Sequence, residues 1–363
     1  MPTVHAVNSC EITPTFRVRQ VQGMFDLPAD AGLKSDFTVE IPGPHEDWQI
    51  GLIVGPSGSG KTTVARQAFG DRLARHWDWP TDRSLLDGFS PSLGIAEITG
   101  LLSSVGFSSP PAWVRPFWAL SNGEQFRASL ARALSEMPDL AVVDEFTSVV
   151  DRTVAQIGSA AVAKAVRRRN QQFVAISCHY DVLPWLQPDW ILDMADGTLS
   201  RERLRRPDIE LQIIRCHSSA WRIFQRHHYL SSDLNPAAKC FIGSIHSRPA
   251  AFVGVLPFPH PIRSGWREHR CVCLPDFQGL GIGNALSEFV AALFAATGKP
   301  YTSVTSHPAM MRHRAKSSNW RISRAPSRSR GQSWRRLTAS FQFIGPPRPD
   351  LAARFGIGLA RLF

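Results

Sequence analysis

Residues 48–62 read WQIGLIVGPSGSGKT, and this stretch decides the fold of the first half of the chain. Its apolar run, residues 48–54, predicts a buried strand, and the spacing of residues 62–75 predicts a helix. The loop between them, residues 55–62, matches the pattern G-x-x-x-x-G-K-[ST], whose backbone N–H groups surround phosphate groups. The sequence therefore predicts a phosphate-binding loop between a strand and a helix.

Each residue type in this loop has a physical reason to be there. Glycines allow backbone N–H groups to face inward, and the start of the helix adds its positive dipole end. Lys61 is long enough to reach the terminal phosphates of a nucleotide, and Thr62 carries a hydroxyl that can ligate Mg²⁺. The predicted ATP contacts are Gly55, Pro56, Ser57, Gly58, Ser59, Gly60, Lys61, Thr62 and Thr63.

A second apolar strand, residues 140–143, ends in the acidic pair Asp144 and Glu145. A carboxylate in this place can complete a magnesium shell, so Asp144 is predicted as a metal ligand together with Thr62. Glu145 is then placed to polarise an attacking water, which makes it the predicted catalytic base. Two adjacent acids after a strand can also form a solvated turn, but the phosphate loop upstream favours the metal site.

Strands and helices alternate along the first two hundred residues. A helix is expected over residues 153–169 and a third apolar strand over residues 173–177. This alternation specifies an α/β fold with a largely parallel sheet flanked by helices. Residues 16–41 are expected to form short strands, and residues 77–118 short helices on loops.

Four motifs resemble those of ABC ATPases, in the family's order and spacing, from about residue 16 to residue 198. They resemble the signature motif with its helix, the Walker B pair, the D-loop and the switch histidine. One departure is Asn122, where the family often has Gly. The matching residues are 120–125 (LSNGEQ) with Arg127 and residues 131–134 (ARAL), Asp144 with Glu145, residues 148–151 (SVVD), and His179.

The resemblance implies that two copies of the chain close head to tail over ATP. In ABC ATPases the signature Ser and Gly of one subunit cover the nucleotide held by the other, so Ser121 and Gly123 are expected to contact ATP in trans. His179 is expected to be catalytic, holding the terminal phosphate and the attacking water in line. An ordinary histidine at the end of a strand is the alternative.

Two family features have no clear counterpart. No glutamine stands out between Lys61 and Leu120 as the Q-loop residue. Asp87 is a candidate for that role, but a plain turn explains it at least as well. An aromatic that stacks on adenine is expected on an early strand, where Phe25 is a candidate and also a candidate core residue. The missing glutamine speaks against coupling to a membrane partner.

A second glycine-rich turn lies in residues 272–283, which read VCLPDFQGLGIG. It joins a strand expected near residues 270–274 to a helix expected over residues 284–296, and it resembles motif A of the GNAT acyltransferases. The resemblance covers about residues 210–343. It implies a mixed α+β domain whose backbone amides hold the pyrophosphate of acyl-CoA. The residues expected to supply that contact are Gln278, Gly279, Gly281, Gly283 and Asn284.

Acyl transfer needs a base for the acceptor amine and an acid for the departing thiolate. Glu268 or His269, just before the second turn, can serve as the base, although a solvated turn explains both. Tyr301 or the pair Ser306 and His307 can serve as the acid, although a structural role is favoured for the tyrosine. Residues 227–229 (HHY) are interpreted as a substrate contact or as packing, because adjacent histidines cannot face one metal ion from a regular element.

Length and charge indicate two domains and an anionic partner. At 363 residues the chain exceeds the usual size of one core. Lys and Arg number 41 against 30 Asp and Glu, a formal net charge of +11 that favours nucleic acid, nucleotide or CoA. We predict an ATPase domain over residues 1–200, a linker over 201–207, a GNAT-like domain over 208–345 and a tail over 346–363.

Arginines accumulate near the end of the chain, where no acidic residue occurs between Glu288 and Asp350. Guanidinium groups for phosphates alternate there with flat aromatics for bases, a composition that suits nucleic acid. A solvated basic face or a rim for the CoA phosphates is the alternative. The residues are Arg312, Arg314, Lys316, Arg321, Arg324, Arg328, Arg330, Arg335 and Arg336, with Trp320 and Trp334.

The remaining features suggest a cytoplasmic location. There is no leader-like start and no apolar run of membrane-spanning length, and the six cysteines show no paired metal-ligand spacing. The leading prediction is an ATP-hydrolysing dimer whose GNAT-like domain transfers an acyl group from acyl-CoA to a nucleic-acid-related substrate. The alternatives are an ATP-gated nucleic-acid clamp with a non-catalytic acyltransferase fold, and the ATPase subunit of a transporter.

Overall fold

The structure is a computed structural model and describes residues 3–9, 13–25, 34–74, 77–201, 204, 206–228, 233–259, 264–328 and 337–357. Contacts divide the chain into two compact units, Met1–Asp78 with Ser129–Pro207 and Trp79–Ala128 with Asp208–Phe363. Segment 79–128 lies inside the predicted ATPase domain in sequence but belongs to the second unit by its contacts. The sequential boundary at residues 201–207 stays a prediction beside this division.

The described elements are numbered along the chain. The strands are β1 (Thr3–Ser9), β2 (Lys34–Glu40), β3 (Ile50–Val54), β4 (Leu140–Val143), β5 (Gln172–Ser177), β6 (Trp190–Asp193), β7 (Thr198–Ser200), β8 (Gln212–Cys216), β9 (Lys239–Ile245), β10 (Arg248–Phe258), β11 (Gly265–Cys273), β12 (Tyr301–Thr305), β13 (Trp320–Arg328) and β14 (Leu337–Phe343). The α-helices are α1 (Phe16–Phe25), α2 (Lys61–Phe69), α3 (Ile95–Ser104), α4 (Pro110–Trp113), α5 (Asn122–Glu136), α6 (Arg152–Arg169), α7 (Leu183–Leu186), α8 (Ile282–Ala295), α9 (Pro308–Lys316) and α10 (Pro349–Arg354). Short 3-10 helices are Gly70–Arg72, Leu85–Gly88, Phe117–Ala119, Tyr180–Val182, Ser218–Ile223, Gln225–His227 and Pro275–Phe277.

A five-stranded sheet forms the first unit, in the order β4-β5-β3-β6-β7, with parallel pairs except for β6 and β7. Strand β3 is buried along its whole length, as its unbroken apolar sequence predicts for a strand covered on both faces. A β-carbon at Gly51 would lie 2.1 Å from the Trp190 ring, so the close approach of β3 and β6 requires glycine. The structure confirms the α/β architecture and the strands expected at residues 140–143 and 173–177.

Helix α6 connects β4 to β5 and has ends that its sequence explains. Asp151 caps its start, and its side chain accepts a hydrogen bond from the N–H of Val154 at 3.0 Å. Asn170 ends it in a left-handed conformation with a φ of 53°, which asparagine tolerates better than most residues. The helix begins at Arg152, one residue before the expected start.

An ion pair fixes the end of α6 near the start of β3. Arg167 donates to the two carboxylate oxygens of Asp189 at 2.9 and 3.2 Å. Asp189 also accepts the N–H groups of Gln49 and Ile50 at 2.9 and 3.0 Å. Burial alone would raise the pKa of Asp189, but these hydrogen bonds hold it below its usual value. The carboxylate therefore ties three segments of the first unit together.

Helix α1 corrects the expectation of short strands over residues 16–41. The hydroxyl of Thr15 accepts the N–H of Val18 at 3.3 Å, and this cap starts a helix where the apolar residues suggested a strand. Phe25, at the end of α1, is 68% exposed and is not a core residue. Among the described residues of the segment, Lys34–Glu40 are extended as β2, which pairs antiparallel with β1.

Residues 77–118 form short helices on loops, as their composition predicts. Trp79 stacks on Phe117 with ring centroids 4.6 Å apart. The indole N–H of Trp113 donates to the carbonyl of Phe107 at 3.0 Å. Packed aromatic side chains therefore hold this segment together where regular secondary structure is sparse.

A seven-stranded mixed sheet forms the remainder of the second unit, in the order β13-β14-β12-β11-β10-β9-β8. Neighbours are antiparallel except β11 with β12. This parallel pair has partners only at Trp266 with Tyr301 and Arg267 with Thr302. Helix α8 packs against β10 and β11. The arrangement is a mixed α and β one, and its assignment as GNAT-like stays a prediction.

Two general properties complete the fold. Within the residues that the structure describes, no helix combines the length and apolar character needed to cross a membrane. The described cysteines carry free thiols. Cys178 is exposed and Cys240 is buried, while Cys216, Cys271 and Cys273 lie between these limits.

Candidate nucleotide site

The phosphate loop leaves β3 and enters α2 through glycines in left-handed conformations. Gly58 and Gly60 have φ angles of 80° and 82°, a region that favours glycine. The ammonium group of Lys61 donates to the carbonyls of Gly55 at 2.8 Å and Pro56 at 2.6 Å. The predicted ATP contacts thus form one continuous segment, the loop after β3 and the first three residues of α2.

The loop offers donors that match a phosphate group. The hydroxyl of Ser59 is buried and has no hydrogen-bond partner among the residues that the structure describes. The first N–H groups of a helix have no partner inside it, and they lie at its positive dipole end. A β-carbon at Gly58 would meet nothing within 4 Å, which shows open space beside the loop. The loop therefore fits the phosphates of a nucleotide, with Thr62 and Lys61 at the start of α2.

Three candidate segments follow adjacent parallel strands. Asp144 and Glu145 follow β4, His179 comes two residues after β5, and Gly55 follows β3. Because the strand order is β4-β5-β3, all three segments leave the same carboxyl edge of the sheet. Ligands of open α/β sheets bind at this edge. The topology thus brings the acidic pair, the histidine and the phosphate loop to one edge.

The turn after β4 holds Glu145 in a strained conformation. Glu145 and Thr147 have φ angles of 48° and 70°, which residues other than glycine rarely adopt. The N–H of Glu145 donates to the Asp144 carboxylate at 2.8 Å. The hydroxyl of Ser148 donates to the carbonyl of Glu145 at 2.6 Å and lies 3.3 Å from its carboxylate. Ser148 therefore restrains the predicted base, a contact that the motif alone does not predict.

Ser177, at the end of β5, connects the turn of Glu145 to the turn of His179. Its buried hydroxyl donates to the carbonyl of Phe146 at 3.0 Å and accepts the N–H of His179 at 3.1 Å. The N–H of Phe146 donates to the carbonyl of Ile176 at 2.7 Å. These bonds fix the backbone beside both predicted catalytic residues. Sequence reasoning missed Ser177, because a serine that closes an apolar strand has no distinctive pattern.

A further hydrogen bond crosses the end of β3. Tyr180, the neighbour of His179, donates to the carboxylate of Asp193 at 2.8 Å. Asp193 is the last residue of β6, and β5 and β6 flank β3. The contact therefore crosses the strand from which the phosphate loop starts. Neither residue matches a motif, so the sequence gives no signal for this contact.

The signature turn is closed by a reciprocal cap at the start of α5. The carboxylate of Glu124 accepts both the N–H and the hydroxyl of Ser121 at 3.0 Å. The hydroxyl of Ser121 in turn lies 3.4 Å from the N–H of Glu124. This is a capping box, in which two side chains satisfy donors at a helix start. Ser121 is exposed and Gly123 lies in the first turn, so both predicted trans contacts lie at a preformed helix N-terminus.

The second glycine-rich turn also enters its helix, α8, through left-handed glycines. Gly279 and Gly281 have φ angles of 95° and 88°, and a β-carbon at Gly281 would meet nothing within 4 Å. A β-carbon at Gly283 would lie 3.2 Å from that of Cys273, so glycine allows close packing of helix on strand. The turn therefore fits an anion such as the expected pyrophosphate.

The side chain of Gln278 is already bonded within the protein. Its amide donates to the carbonyl of Cys273 at 2.8 Å, and its oxygen accepts the N–H of Ser108 at 2.5 Å. Its backbone N–H donates to the carbonyl of Pro275 at 3.2 Å. Gln278 therefore positions the turn. The predicted contacts that remain for an anion are Gly279, Gly281, Gly283 and Asn284.

Glu268 is buried in an ion pair, which corrects both its assignment as a general base and the solvated-turn alternative. Arg314 donates to the two oxygens of Glu268 at 2.8 and 3.1 Å. The hydroxyls of Ser287 and Ser303 donate to the same carboxylate at 2.5 and 2.8 Å. Tyr301 is buried as well, and burial raises its pKa well above the usual value. The carboxylate has an internal partner on each oxygen and is not free to accept a substrate proton.

Two histidine candidates of the second unit, His269 and His307, have pKa values below the usual one. Burial, followed by neighbouring arginines, lowers the pKa of His269 to about 4, and its Nε2 accepts the N–H of Asn235 at 3.2 Å. Burial also lowers the pKa of His307, whose Nε2 lies 3.1 Å from the carbonyl of Ser108. His228 is buried against an indole ring, in agreement with packing.

The arginine-rich segment is only partly a surface. Arg314 and Trp320 are buried, with the guanidinium 4.3 Å from the ring centroid, which corrects their assignment to a nucleic-acid surface. Arg321 and Arg324 are exposed on β13, an edge strand of the sheet. Further predicted residues lie outside the described ones: Tyr229, Arg330, Trp334, Arg335 and Arg336.

Fold and site together define the class of the first unit. A phosphate loop before α2, an acidic pair after β4 and a histidine after β5 leave one edge of a parallel sheet. Glycine-lined loops of this kind, followed by a helix N-terminus, bind nucleotide phosphates. The first unit therefore has the arrangement of a nucleotide-binding α/β domain, and the chain is similar to ATP-binding proteins.

Curated relatives have ATP-binding names. The chain is 27% identical over 213 residues to the aliphatic sulfonates import ATP-binding protein SsuB 1 of Paracoccus denitrificans, covering 53% of this chain and 84% of that protein. It is 29% identical over 153 residues to the zinc import ATP-binding protein ZnuC of Agrobacterium fabrum and 30% identical over 153 residues to that of Rhizobium meliloti, covering 36% of this chain each time. The chain spans 50% and 49% of the length of these two zinc import proteins. No family model matches the sequence.

Solved structures of ATP-binding cassettes also match. The dimeric cassette MJ0796 in a post-hydrolysis state, bound to ADP and Pi, is 15% identical with a TM-score of 0.40, over 56% of this chain and 99% of that one. A second dimeric structure of MJ0796, a bacterial ABC transporter cassette, has a TM-score of 0.41 at 15% identity over the same shares.

Proposed function

We propose that the chain binds and hydrolyses ATP as a head-to-tail dimer. The observation that carries the proposal is the sheet edge to which the phosphate loop, the acidic pair and His179 belong, after three adjacent parallel strands. The relatives described above are named ATP-binding proteins, which supports nucleotide binding. The Ser59 hydroxyl in the loop, which has no hydrogen-bond partner within the described part of the chain, supports a ligand with acceptor oxygens.

Each residue at this edge has a separate role in the proposal. Lys61 holds the terminal phosphates, and Thr62 with Asp144 holds Mg²⁺, which neutralises phosphate charge when bound. Glu145 accepts the proton of the attacking water. His179 donates a hydrogen bond to the terminal phosphate, where negative charge develops during the reaction.

A second copy completes the site in this proposal. Ser121 is exposed and lies at the start of α5, which is the positive end of the helix dipole. Placed against the nucleotide of the partner, Ser121 and Gly123 would donate to its terminal phosphate. Closure also removes water from the reacting groups, which strengthens every electrostatic contact inside.

Glu145→Gln tests the proposal directly. The amide cannot accept the proton, so hydrolysis is expected to fall by about 10²- to 10⁴-fold while Mg-ATP binding is kept. The variant should then accumulate as an ATP-dependent dimer in light scattering. Glu136→Gln, on the same unit but at the end of α5, is the matched control and should keep wild-type turnover. Wild-type hydrolysis in Glu145→Gln removes the assigned base.

For the second sheet we propose binding of acyl-CoA at the glycine-rich turn and acyl transfer to a nucleic-acid-related substrate. The open space beside Gly281 and the N–H groups at the start of α8 support the binding step. Transfer forms a bond between the acceptor nitrogen and the acyl carbon, breaks the thioester C–S bond, and leaves the amine proton on the thiolate. Because Glu268 is already paired, the base comes from another residue or from the substrate.

Acetyl-CoA separates this activity from its alternative, an ATP-gated nucleic-acid clamp. Acetyl-CoA should bind the wild type in calorimetry, and Gly281→Val should abolish binding by filling the open space at the helix start. Gly197→Val is the matched control, because Gly197 also has a positive φ and open surroundings. Labelled acetyl-CoA incubated with tRNA, DNA or total protein, with and without ATP, then reports transfer. Binding without any transfer favours the clamp.

The names of the relatives also raise the possibility of an import ATPase. In this chain, however, Ser108 of segment 79–128 is bonded to Gln278 and His307 of the same unit. That segment therefore already has a partner within the chain. Isolation of a membrane protein in stable complex with the full chain would favour the transport role over the one proposed here.

A further inference from the structure

One buried guanidinium touches both the signature turn and the second glycine-rich turn. Arg127, in the second turn of α5, has no exposed surface. It donates to the carbonyl of Asp276 at 3.1 Å and lies 3.9 Å from the Asp276 carboxylate. It also donates to the carbonyl of Gly123 at 3.4 Å. Gly123 is a predicted ATP contact, and Asp276 leads into the glycine-rich turn, so one side chain connects the two.

A second connection runs through the backbone of Ser108. Its N–H donates to Gln278 at 2.5 Å, and its carbonyl lies 3.1 Å from Nε2 of His307. Gln278 begins the glycine-rich turn, and His307 follows β12. Segment 79–128 is thus bonded both to the residue that begins the turn and to a residue that follows β12. These two part-buried hydrogen bonds connect the segment to the turn and to the residues after β12.

We propose that Arg127 couples nucleotide binding at the signature turn to ligand binding at residues 279–284. The inference rests on the proposed contact of Ser121 and Gly123 with ATP in trans. When the partner's nucleotide engages the start of α5, Arg127 transmits the change to Asp276 and the turn. Such coupling is reciprocal, so a ligand at the turn changes nucleotide affinity by the same factor. Arg127 touches neither ligand and is a positioning residue.

Amide hydrogen exchange at residues 279–284 measures this coupling without knowledge of the natural ligand. The full chain is compared with and without the slowly hydrolysed analogue Mg-AMP-PNP. Coupling between sites is typically 5- to 150-fold, so the analogue should change exchange at the turn by about fivefold or more. Arg127→Met keeps an apolar stem but has no donors. It should bind Mg-AMP-PNP through the phosphate loop and lose the response at the turn.

The reciprocal measurement uses acetyl-CoA as the probe. In the wild type, acetyl-CoA should change the Kd for Mg-AMP-PNP by the factor seen in the opposite direction. Arg127→Met should reduce that factor to one. A residue with a purely structural role would weaken both ligands without changing their mutual dependence.

Arg132→Met is the matched control on the same helix. Arg132 donates to the carbonyl of Asp78 at 3.1 Å and does not connect the two turns, so its variant should keep the full response. If Arg127→Met does not fold, Arg127→Lys decides, because lysine keeps the positive charge but lacks the guanidinium fork that donates to the carbonyls of Gly123 and Asp276. A reduced response in that variant supports the coupling, and an unchanged response overturns it.

The outcomes distinguish this inference from the proposed function. If Mg-AMP-PNP binds the wild type without changing exchange at the turn, or if folded Arg127→Met keeps the response, the coupling is overturned and ATP binding stands. If Mg-AMP-PNP does not bind the wild type, the proposed function fails, and the coupling fails with it.

Discussion

Ser177→Ala is expected to lower the turnover of ATP more than its affinity. The Ser177 hydroxyl makes two hydrogen bonds, a buried one to the carbonyl of Phe146 and a part-buried one from the N–H of His179. Each such bond contributes about 0.5–1.5 kcal/mol, so loss of both removes about 1–3 kcal/mol. If this loss falls on the transition state, kcat drops roughly 5- to 150-fold, because 1.36 kcal/mol is about tenfold in rate. The KM for Mg-ATP should stay at the wild-type value, because Lys61 and the phosphate loop are unchanged.

Steady-state phosphate release over a range of Mg-ATP concentrations separates kcat from KM. Ser159→Ala is the matched control, because the hydroxyl of Ser159 is also buried and donates to the carbonyl of Ala155 at 2.6 Å within α6. It should lower stability and leave kcat unchanged. Ser177→Thr keeps the hydroxyl on a side chain that suits a strand and should retain activity. A folded Ser177→Ala protein with the kcat of the wild type refutes the positioning role.

Arg314→Met should destabilise the fold by about 3–5 kcal/mol, because Glu268 then stays buried without its partner, whereas adding Glu268→Gln should recover much of the loss. Denaturant unfolding measures the free energy of unfolding of the single and the double variant. If these two free energies are equal, the result contradicts the ion-pair account. Asp189 has a lowered folded pKa, so its stabilisation is complete above the unfolded pKa and is lost as the pH falls through the folded value. Asp189→Asn should remove that acid-range slope, and an unaltered slope counts against the role. The ring of His269 should titrate near pH 4 by NMR, and titration near its ordinary pKa of 6.5 contradicts the half-buried site.

The parts of the fold that could be predicted are those set by local patterns. The phosphate loop has fixed glycine spacing, and the strand at residues 140–143 is a short apolar run that ends in charge. Helix α1 could not be predicted from periodicity, because its apolar residues fit the period of a helix and the period of a strand equally. The cap at Thr15 favours the helix. Helix α6 was predicted within one residue because its apolar spacing is long and regular.

The parts of the site that could not be predicted depend on contacts between distant residues. Glu268 resembles an available acid in sequence, but its partner Arg314 is 46 residues away. Ser177 and Phe146 meet across 31 residues, and no local pattern marks either one. Residue types at motif positions therefore located the candidate sites, while the protonation and positioning of their side chains depend on the tertiary structure.

The grouping of segment 79–128 with the second sheet bears on how this protein can be dissected. A fragment that stops at Pro207 keeps Arg127 and Ser108 but discards Asp276 and Gln278. The stranded guanidinium and N–H would then each cost about 1–3 kcal/mol if they stayed buried. A fragment that ends at Pro207 is therefore expected to be unstable, and a stable preparation requires the sequence that follows it.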